Sequence, residues 1–228
     1  MKKIAVLALV SVVGAAQAQT LFYGGDVDLT NGGNGIISQV GGTYTDFWVY
    51  DDFTLSDGSS ITSVFGNFGD TSTTPGVGLH WEIRTGVAAG SGGTVVASGV
   101  STNFTRVATG RAPLGLTEYT YTAAVSGVNL AAGTYFLGIA LDNSNSTDAR
   151  SYLSITSGAN GIGSPIHNGN SFVNSPSQGL DWTDTQDLVG EPTDFSLGLT
   201  GTTVPEPASM AALGLGALAL IRRRRASK

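Results

Sequence analysis

Side chains with oxygen ligands are concentrated in three loops that could bind a hard cation. Carboxylates and amides are the ligands that Ca²⁺ prefers, at about six to eight oxygens per ion. None of the loops has EF-hand spacing, and Asx-rich turns are equally explained by side chain to backbone hydrogen bonds. Calcium is therefore the one cofactor for which the sequence supplies candidate ligands. The three sets are Asp26, Asp28 and Asn31; Asp142, Asn145 and Asp148; and Asp181, Asp184 and Asp187.

The tryptophans suggest a second kind of site, because indole rings stack well on sugar rings. More commonly such residues pack in a core, where each buries about 150 to 250 Å². Trp182 lies between Asp181 and Asp184 in an acidic segment, so we expect it to be the most exposed of the three tryptophans. Trp182 is therefore the candidate for a glycan contact.

Catalytic motifs are scarce. The chain has no cysteine nucleophile, no Gly-x-Ser-x-Gly, no His-Glu-x-x-His and no phosphate-binding glycine loop, and its two histidines are His80 and His167. His80 is expected on the polar face of a strand, and His167 in a loop. A glycosidase needs only two carboxylates about 5 to 10 Å apart, which an acidic chain can always supply. We therefore predict a non-catalytic protein, with a polysaccharide hydrolase as an open alternative.

The elements that would position these residues are β-strands. Apolar residues alternate with polar ones at Leu79, Trp81 and Ile83, and again from Tyr135 to Leu141, while no window has helical periodicity. Nine or ten such strands predict an all-β fold, a two-layer antiparallel sandwich of jelly-roll type. The segments 31–42 and 157–194 are expected to be irregular. The other predicted strands are 47–55, 61–68, 95–100, 104–108, 118–125, 151–156 and 195–199.

The predicted body is acidic and contains no cysteine. The segment from Gln19 to Val204 contains four arginines and sixteen acidic residues, which gives a net charge of −12. Such a charge disfavours nucleic acid as a partner and keeps an exported domain soluble. Disulfides are excluded, but a chain of this length can bury enough surface without them.

The N-terminus is typical of a secretory signal peptide. Two lysines precede an apolar core, and Ala16-Gln17-Ala18 has the small-x-small pattern that signal peptidase accepts. Cleavage after Ala18 would make Gln19 the first mature residue. Residues 1–18 are therefore predicted to be a leader, followed by a secreted domain over 19–203.

The C-terminal residues 204–228 form a membrane-targeting tail. Pro205, Glu206 and Pro207 precede an apolar run that ends in a basic cluster, Arg222, Arg223, Arg224 and Arg225. Two prolines keep the motif extended and out of sheets and helices. A guanidinium is costly inside a bilayer, so the cluster is expected to stop transfer on the cytoplasmic side. The run of fourteen residues spans roughly 21 Å against about 30 Å of hydrocarbon, which favours a transient anchor.

Together, Pro-Glu-Pro, the small-residue apolar helix and the arginine cluster resemble the PEP-CTERM protein-sorting signal. The resemblance covers about a tenth of the chain. It implies an exosortase-type membrane transpeptidase as partner, processing near Pro205 to Pro207, and a Gram-negative host that makes exopolysaccharide.

These features predict an exported protein that is anchored transiently in the inner membrane and then sorted to the cell surface or extracellular matrix. Signal peptidase and the exosortase are the expected partners, and exopolysaccharide or biofilm the expected surroundings. Two alternatives remain for the body: a carbohydrate-binding module, and a hydrolase that acts on polysaccharide. An exposed pair of coplanar aromatic rings would favour the first. A cleft with two close carboxylates, one of raised pKa, would favour the second.

Overall fold

The computed structural model describes residues 17–27, 29 and 35–204, and most of the regular structure in them is β-strand. The predicted all-β class is therefore confirmed. The predicted signal helix and transmembrane helix lie outside these residues. In the part of the chain that the structure describes, no helix combines the length and apolarity needed to cross a bilayer.

Eight strands form the first sheet: β1 (Gln19–Tyr23), β2 (Gly35–Ile37), β5 (Ser59–Asp70), β8 (Phe104–Ala108), β9 (Thr117–Leu130), β11 (Ser151–Thr156), β14 (Asp194–Phe195) and β15 (Leu197–Thr203). The long strand β5 is its centre. One edge of β5 pairs with β9, and the other pairs first with β15 and then with β11. Strand β1 pairs with the outer edge of β15.

Seven strands form the second sheet: β3 (Gln39–Val40), β4 (Asp46–Leu55), β6 (Gly78–Thr85), β7 (Thr94–Ser101), β10 (Gly133–Asp142), β12 (Ser171–Ser175) and β13 (Leu180–Asp184). Pairing is antiparallel except between β3 and β10, which run parallel. One short helix, α1 (Thr185–Val189), follows β13. The two-sheet arrangement is as predicted apart from that parallel pair, whereas the jelly-roll connectivity stays a prediction.

The main core contains side chains from both sheets. Val49 and Phe53 of the second sheet belong to the same buried cluster as Ile61, Val64 and Phe68 of the first. The alternation seen in the sequence is reproduced, because Leu79, Trp81 and Ile83 are all buried. Burying such side chains contributes about 1.5 to 3 kcal/mol each, which is how the body holds together without disulfides.

The prediction of nine or ten strands was wrong, because fifteen are present in the described residues. Five of the additional strands lie in the segments expected to be irregular or at their ends: β2, β3, β12, β13 and β14. Three of these have only two or three residues, too few to show a period in sequence, and they exist because longer strands offer them backbone partners. Strand β1 was also missed, since its residues adjoin the predicted leader.

A buried polar network on the first sheet links β9 to the loops beside it. Glu118 is completely buried and accepts hydrogen bonds from Arg111, Thr109 and Ser154. Arg111 also pairs with Asp26, whose other partners are Tyr23 and Asn160. Burial alone would raise the pKa of Asp26, but these hydrogen bonds and the guanidinium charge outweigh burial and lower it. The network is saturated with partners, which is what a structural role requires.

Candidate functional site

The folded body continues to the residue before Pro205. Strand β15 pairs with β5 up to Thr203, which lies opposite Ser59. The backbone N–H of Val204 then donates a hydrogen bond of 2.7 Å to the carbonyl oxygen of Gly58. The sorting tail predicted from sequence therefore begins with no spacer after the sheet.

The predicted start of the mature chain lies at the same end of the molecule. Gln19 of β1 is paired with Gly201 of β15, two residues before that strand ends. The two strands are antiparallel, so the leader side of the chain and the sorting side emerge next to each other. Ala18 and Gln19, on either side of the predicted signal cleavage, are both exposed. Ala16 lies outside the described residues.

A pocket of about 270 Å³ opens at this end. Backbone contacts hold its walls in place, because Thr54 N–H donates to the carbonyl of Ser164 at 2.6 Å and Ser59 Oγ donates to the carbonyl of Asp57 at 3.1 Å. Of the described residues that line it, Asp57 alone is charged. The lining consists of Gln19, Thr20, Leu21, Thr54, Leu55, Ser56, Asp57, Ser59, Gly163, Ser164 and Thr203, and we call this region, with Gly58 and Val204, the stalk base.

In the loop that follows β10, two of the three candidate calcium ligands have protein partners. Asp142 accepts a hydrogen bond from Ser144 N–H at 2.9 Å and faces His80 Nε2 at 3.5 Å. Burial would raise the pKa of Asp142, but these two partners outweigh burial and lower it. The amide of Asn145 donates to the carbonyl of Pro75, and Asp148 is exposed. Each candidate has local partners or faces solvent.

The second candidate set lies around helix α1. Asp184 is the N-cap of that helix and accepts a hydrogen bond of 2.8 Å from Gln186 N–H. The N-cap role accounts for an aspartate at position 184 without a metal ion. Asp181 and Asp187 are exposed. Within the described residues, no group of three or more His, Cys, Asp or Glu side chains is placed to hold a metal ion. In the remaining set Asp26 belongs to the Arg111 network, and Asp28 and Asn31 lie outside those residues.

The expectation that Trp182 is exposed was wrong. Its side chain belongs to a second cluster, on the outer face of the second sheet, and only 8% of the residue is accessible. The Trp182 ring lies 4.6 Å from that of Tyr50 and 4.8 Å from the guanidinium carbon of Arg84. Gly92 covers the ring so closely that a Cβ there would come within 2.5 Å of it. Trp182 is thus a packing residue with a cation–π partner, and no sugar can stack on it.

The half-buried Trp48 belongs to the same outer face. It stacks beside Tyr50 with centroids 5.9 Å apart and planes 18° apart, and its edge meets His80. Tyr50 is 2% exposed, however, so the pair does not form the two-ring platform expected of a carbohydrate-binding module. His80 is half-buried beside Asp142, and His167 lies exposed in the loop before β12.

Four acids that the sequence analysis did not single out have raised pKa values: Asp51, Asp52, Asp70 and Asp194. Complete burial raises the pKa of Asp51 most, and the charge of Asp194 raises it further. Burial likewise raises the pKa of Asp52, whose carboxylate accepts hydrogen bonds from Asn168 and Asn170. None of the four lines the stalk base, so the described pocket lacks the paired carboxylates of a glycosidase. For Asp51 and Asp52, the apolar neighbours Val49, Tyr50 and Phe53 in the sequence of β4 were the available signal of burial.

Comparison with known proteins identifies the segment that leaves the stalk base. The class defined by the fold is an all-β body of two sheets, in which Gln19 lies beside the last residues of β15. Residues 203–225 match the family model described as the PEP-CTERM protein-sorting motif. The sorting motif predicted from sequence is thereby confirmed, and with it the exosortase that processes such motifs is supported as a partner. No curated protein matches the chain.

Proposed function

We propose that this chain is an exported protein whose body is delivered to the cell surface or extracellular matrix by an exosortase-type membrane transpeptidase. Signal peptidase removes residues 1–18 after Ala18. The C-terminal apolar run then holds the body at the outer side of the inner membrane, with Arg222 to Arg225 in the cytoplasm. Cleavage near Pro205, Glu206 and Pro207 ends the anchoring.

The observation that carries this proposal is the position of the motif. The match begins at residue 203, the last residue of β15, so the described sheets end where the motif begins. A body that is complete before the processing site can fold independently and survive cleavage. The motif and fold boundaries therefore coincide as delivery of an intact domain requires.

We assign the body a non-catalytic role in a Gram-negative exopolysaccharide matrix or biofilm. Support comes from the burial of Asp51, Asp52 and Asp194, and from the single carboxylate at the stalk base. The net charge of −12 over residues 19–204 suits a soluble matrix component that does not adhere to anionic membranes.

Intact mass spectrometry of the protein from its native host, with and without the exosortase gene, tests the proposal. We expect a species that begins at Gln19 and ends near residue 205 only when the enzyme is present. Glu206→Gln should abolish that species, whereas Asp148→Asn, an exposed acid remote from the motif, should not. A C-terminus at Lys228 in both strains would contradict sorting.

A further inference from the structure

The absence of a spacer has a consequence for the enzyme that reads the motif. Val204 is hydrogen-bonded to Gly58, and Glu206 is two residues further along. At about 3.3 to 3.6 Å per residue, Glu206 can reach no more than about 7 Å from the position of Val204. A protein that encloses Glu206 must therefore meet the stalk base at the same time.

One edge of β15 is available for that encounter. The backbone N–H of Val204 points toward β5, where it meets Gly58, and successive residues of a strand direct their hydrogen-bonding groups to opposite edges. Thr203 therefore directs its backbone groups to the other edge. There β1 begins at Gln19, opposite Gly201, so within the described residues no strand pairs with Thr203 on that side.

The chemistry of the stalk base also suits a membrane-bound partner. Hydroxyl, amide and aliphatic groups form its pocket, where Asp57 is the one charged side chain, and cleavage after Ala18 adds the positive α-amino group of Gln19. Most acids of the body lie elsewhere; Asp142 and Asp148, for example, follow the opposite end of β10, since Gly133 at its start pairs with Leu55. A nearly neutral surface can approach an anionic bilayer with less repulsion than the rest of this acidic body.

We propose that the stalk base is a docking surface for the sorting enzyme, which binds the open edge of β15 and the adjoining pocket while it holds the Pro-Glu-Pro motif. Strand addition of this kind provides affinity through backbone hydrogen bonds, and the pocket adds side-chain contacts. The inference rests on the proposed function. It goes further because it makes the folded body, as well as the tail, part of what the enzyme recognises.

A double-variant experiment in the full chain tests docking, with the rate of C-terminal processing followed by pulse-chase in the host. Asp57→Lys changes the exposed acid of the stalk base, and Asp148→Lys is the matched change at the opposite end. The unaltered chain and the Asp57→Lys chain are also made with ten Gly/Ser residues between Val204 and Pro205. This spacer separates the body from the motif by about 17 Å. Thermal unfolding of each secreted body verifies that the variants fold alike.

We expect Asp57→Lys to slow processing about fivefold in the native chain, equivalent to roughly 1 kcal/mol, because the longer charged side chain obstructs the pocket that the enzyme binds, and Asp148→Lys to leave it unchanged. With the spacer, Asp57→Lys should have no effect, because the enzyme then holds the motif away from the body. Equal rates for Asp57→Lys and the unaltered chain, or the same slowing with and without the spacer, would overturn docking. Absence of processing in every chain, the spacer chain included, would instead overturn the proposed function.

Discussion

Arg111 donates a hydrogen bond of 2.6 Å from Nε to Oε2 of Glu118, a carboxylate with no solvent exposure. The pair links the segment before β9 to the first sheet, and Asp26 extends it to the loop after β1. A chain without cysteine must stabilise such loops by packing and polar contacts alone. Single partners in this network should therefore be costly to remove.

Arg111→Ala should lower the free energy of unfolding of the secreted body by about 3 kcal/mol, because it leaves Glu118 buried without a cation. Urea denaturation at neutral pH measures the loss. Arg150→Ala is the control: Arg150 is exposed and only approaches the ring of Tyr44, so its removal should cost less than about 0.5 kcal/mol. Equal losses for both variants would show that the Glu118 pair is not specifically stabilising.

Asp51→Asn should make the body less sensitive to rising pH. Burial raises the pKa of Asp51 well above 3.8, so the folded state binds its proton more tightly than the unfolded state does. Stability from this residue is complete below the unfolded pKa and declines as pH rises toward the folded pKa. The unfolding free energy of Asp51→Asn minus that of the unaltered chain should thus increase as pH rises above about 4, the pKa of the unfolded state.

Urea titrations at several pH values measure that difference. Asp148→Asn supplies the comparison, because Asp148 is exposed. A difference for Asp51→Asn that stays constant with pH would mean that Asp51 titrates normally.

Trp182→Ala should destabilise the body by about 3 kcal/mol, since it removes a buried ring that packs on Tyr50 and Arg84. A second measurement uses a folded chain that keeps Trp182 and has its other tryptophans replaced by phenylalanine. In that chain acrylamide should quench the fluorescence of Trp182 poorly. Strong quenching together with a loss below about 1 kcal/mol would contradict the buried position.

Asp184→Ala should cost about 1 kcal/mol through loss of the N-cap of α1, equally in calcium and in chelator. Asp187→Ala, in the same helix but without that cap, should be nearly neutral. Differential scanning calorimetry of both variants measures the loss of stability. The calcium concentration should be about 5 mM, which exceeds the dissociation constants of about 10⁻⁴ to 10⁻³ M that are typical of extracellular calcium-binding modules. A cost that appears only in calcium would restore the sequence hypothesis of a calcium site at Asp181, Asp184 and Asp187.

The strands with long alternating patterns were predictable because burial of one face imposes a period of two on the sequence. Leu79, Trp81 and Ile83 illustrate this, and the bounds of β8 and β11 agree with the prediction at both ends. Strand β13 was missed because glycines, aspartates and a helix cap surround it. Its existence depends on pairing of Thr183 with Val173, which no local pattern records.

By itself the sequence determined the all-β class and the sorting motif, because alternation, prolines and an arginine-terminated apolar run act through local chemistry. The tertiary structure decided that Trp182 is buried and that the carboxylates of Asp142 and Asp184 serve their own backbone neighbours. It also placed Gln19 beside the end of β15. The burial of Trp182 and the position of Gln19 depend on contacts between residues far apart in the chain, whereas the two carboxylates bond backbone groups two residues away.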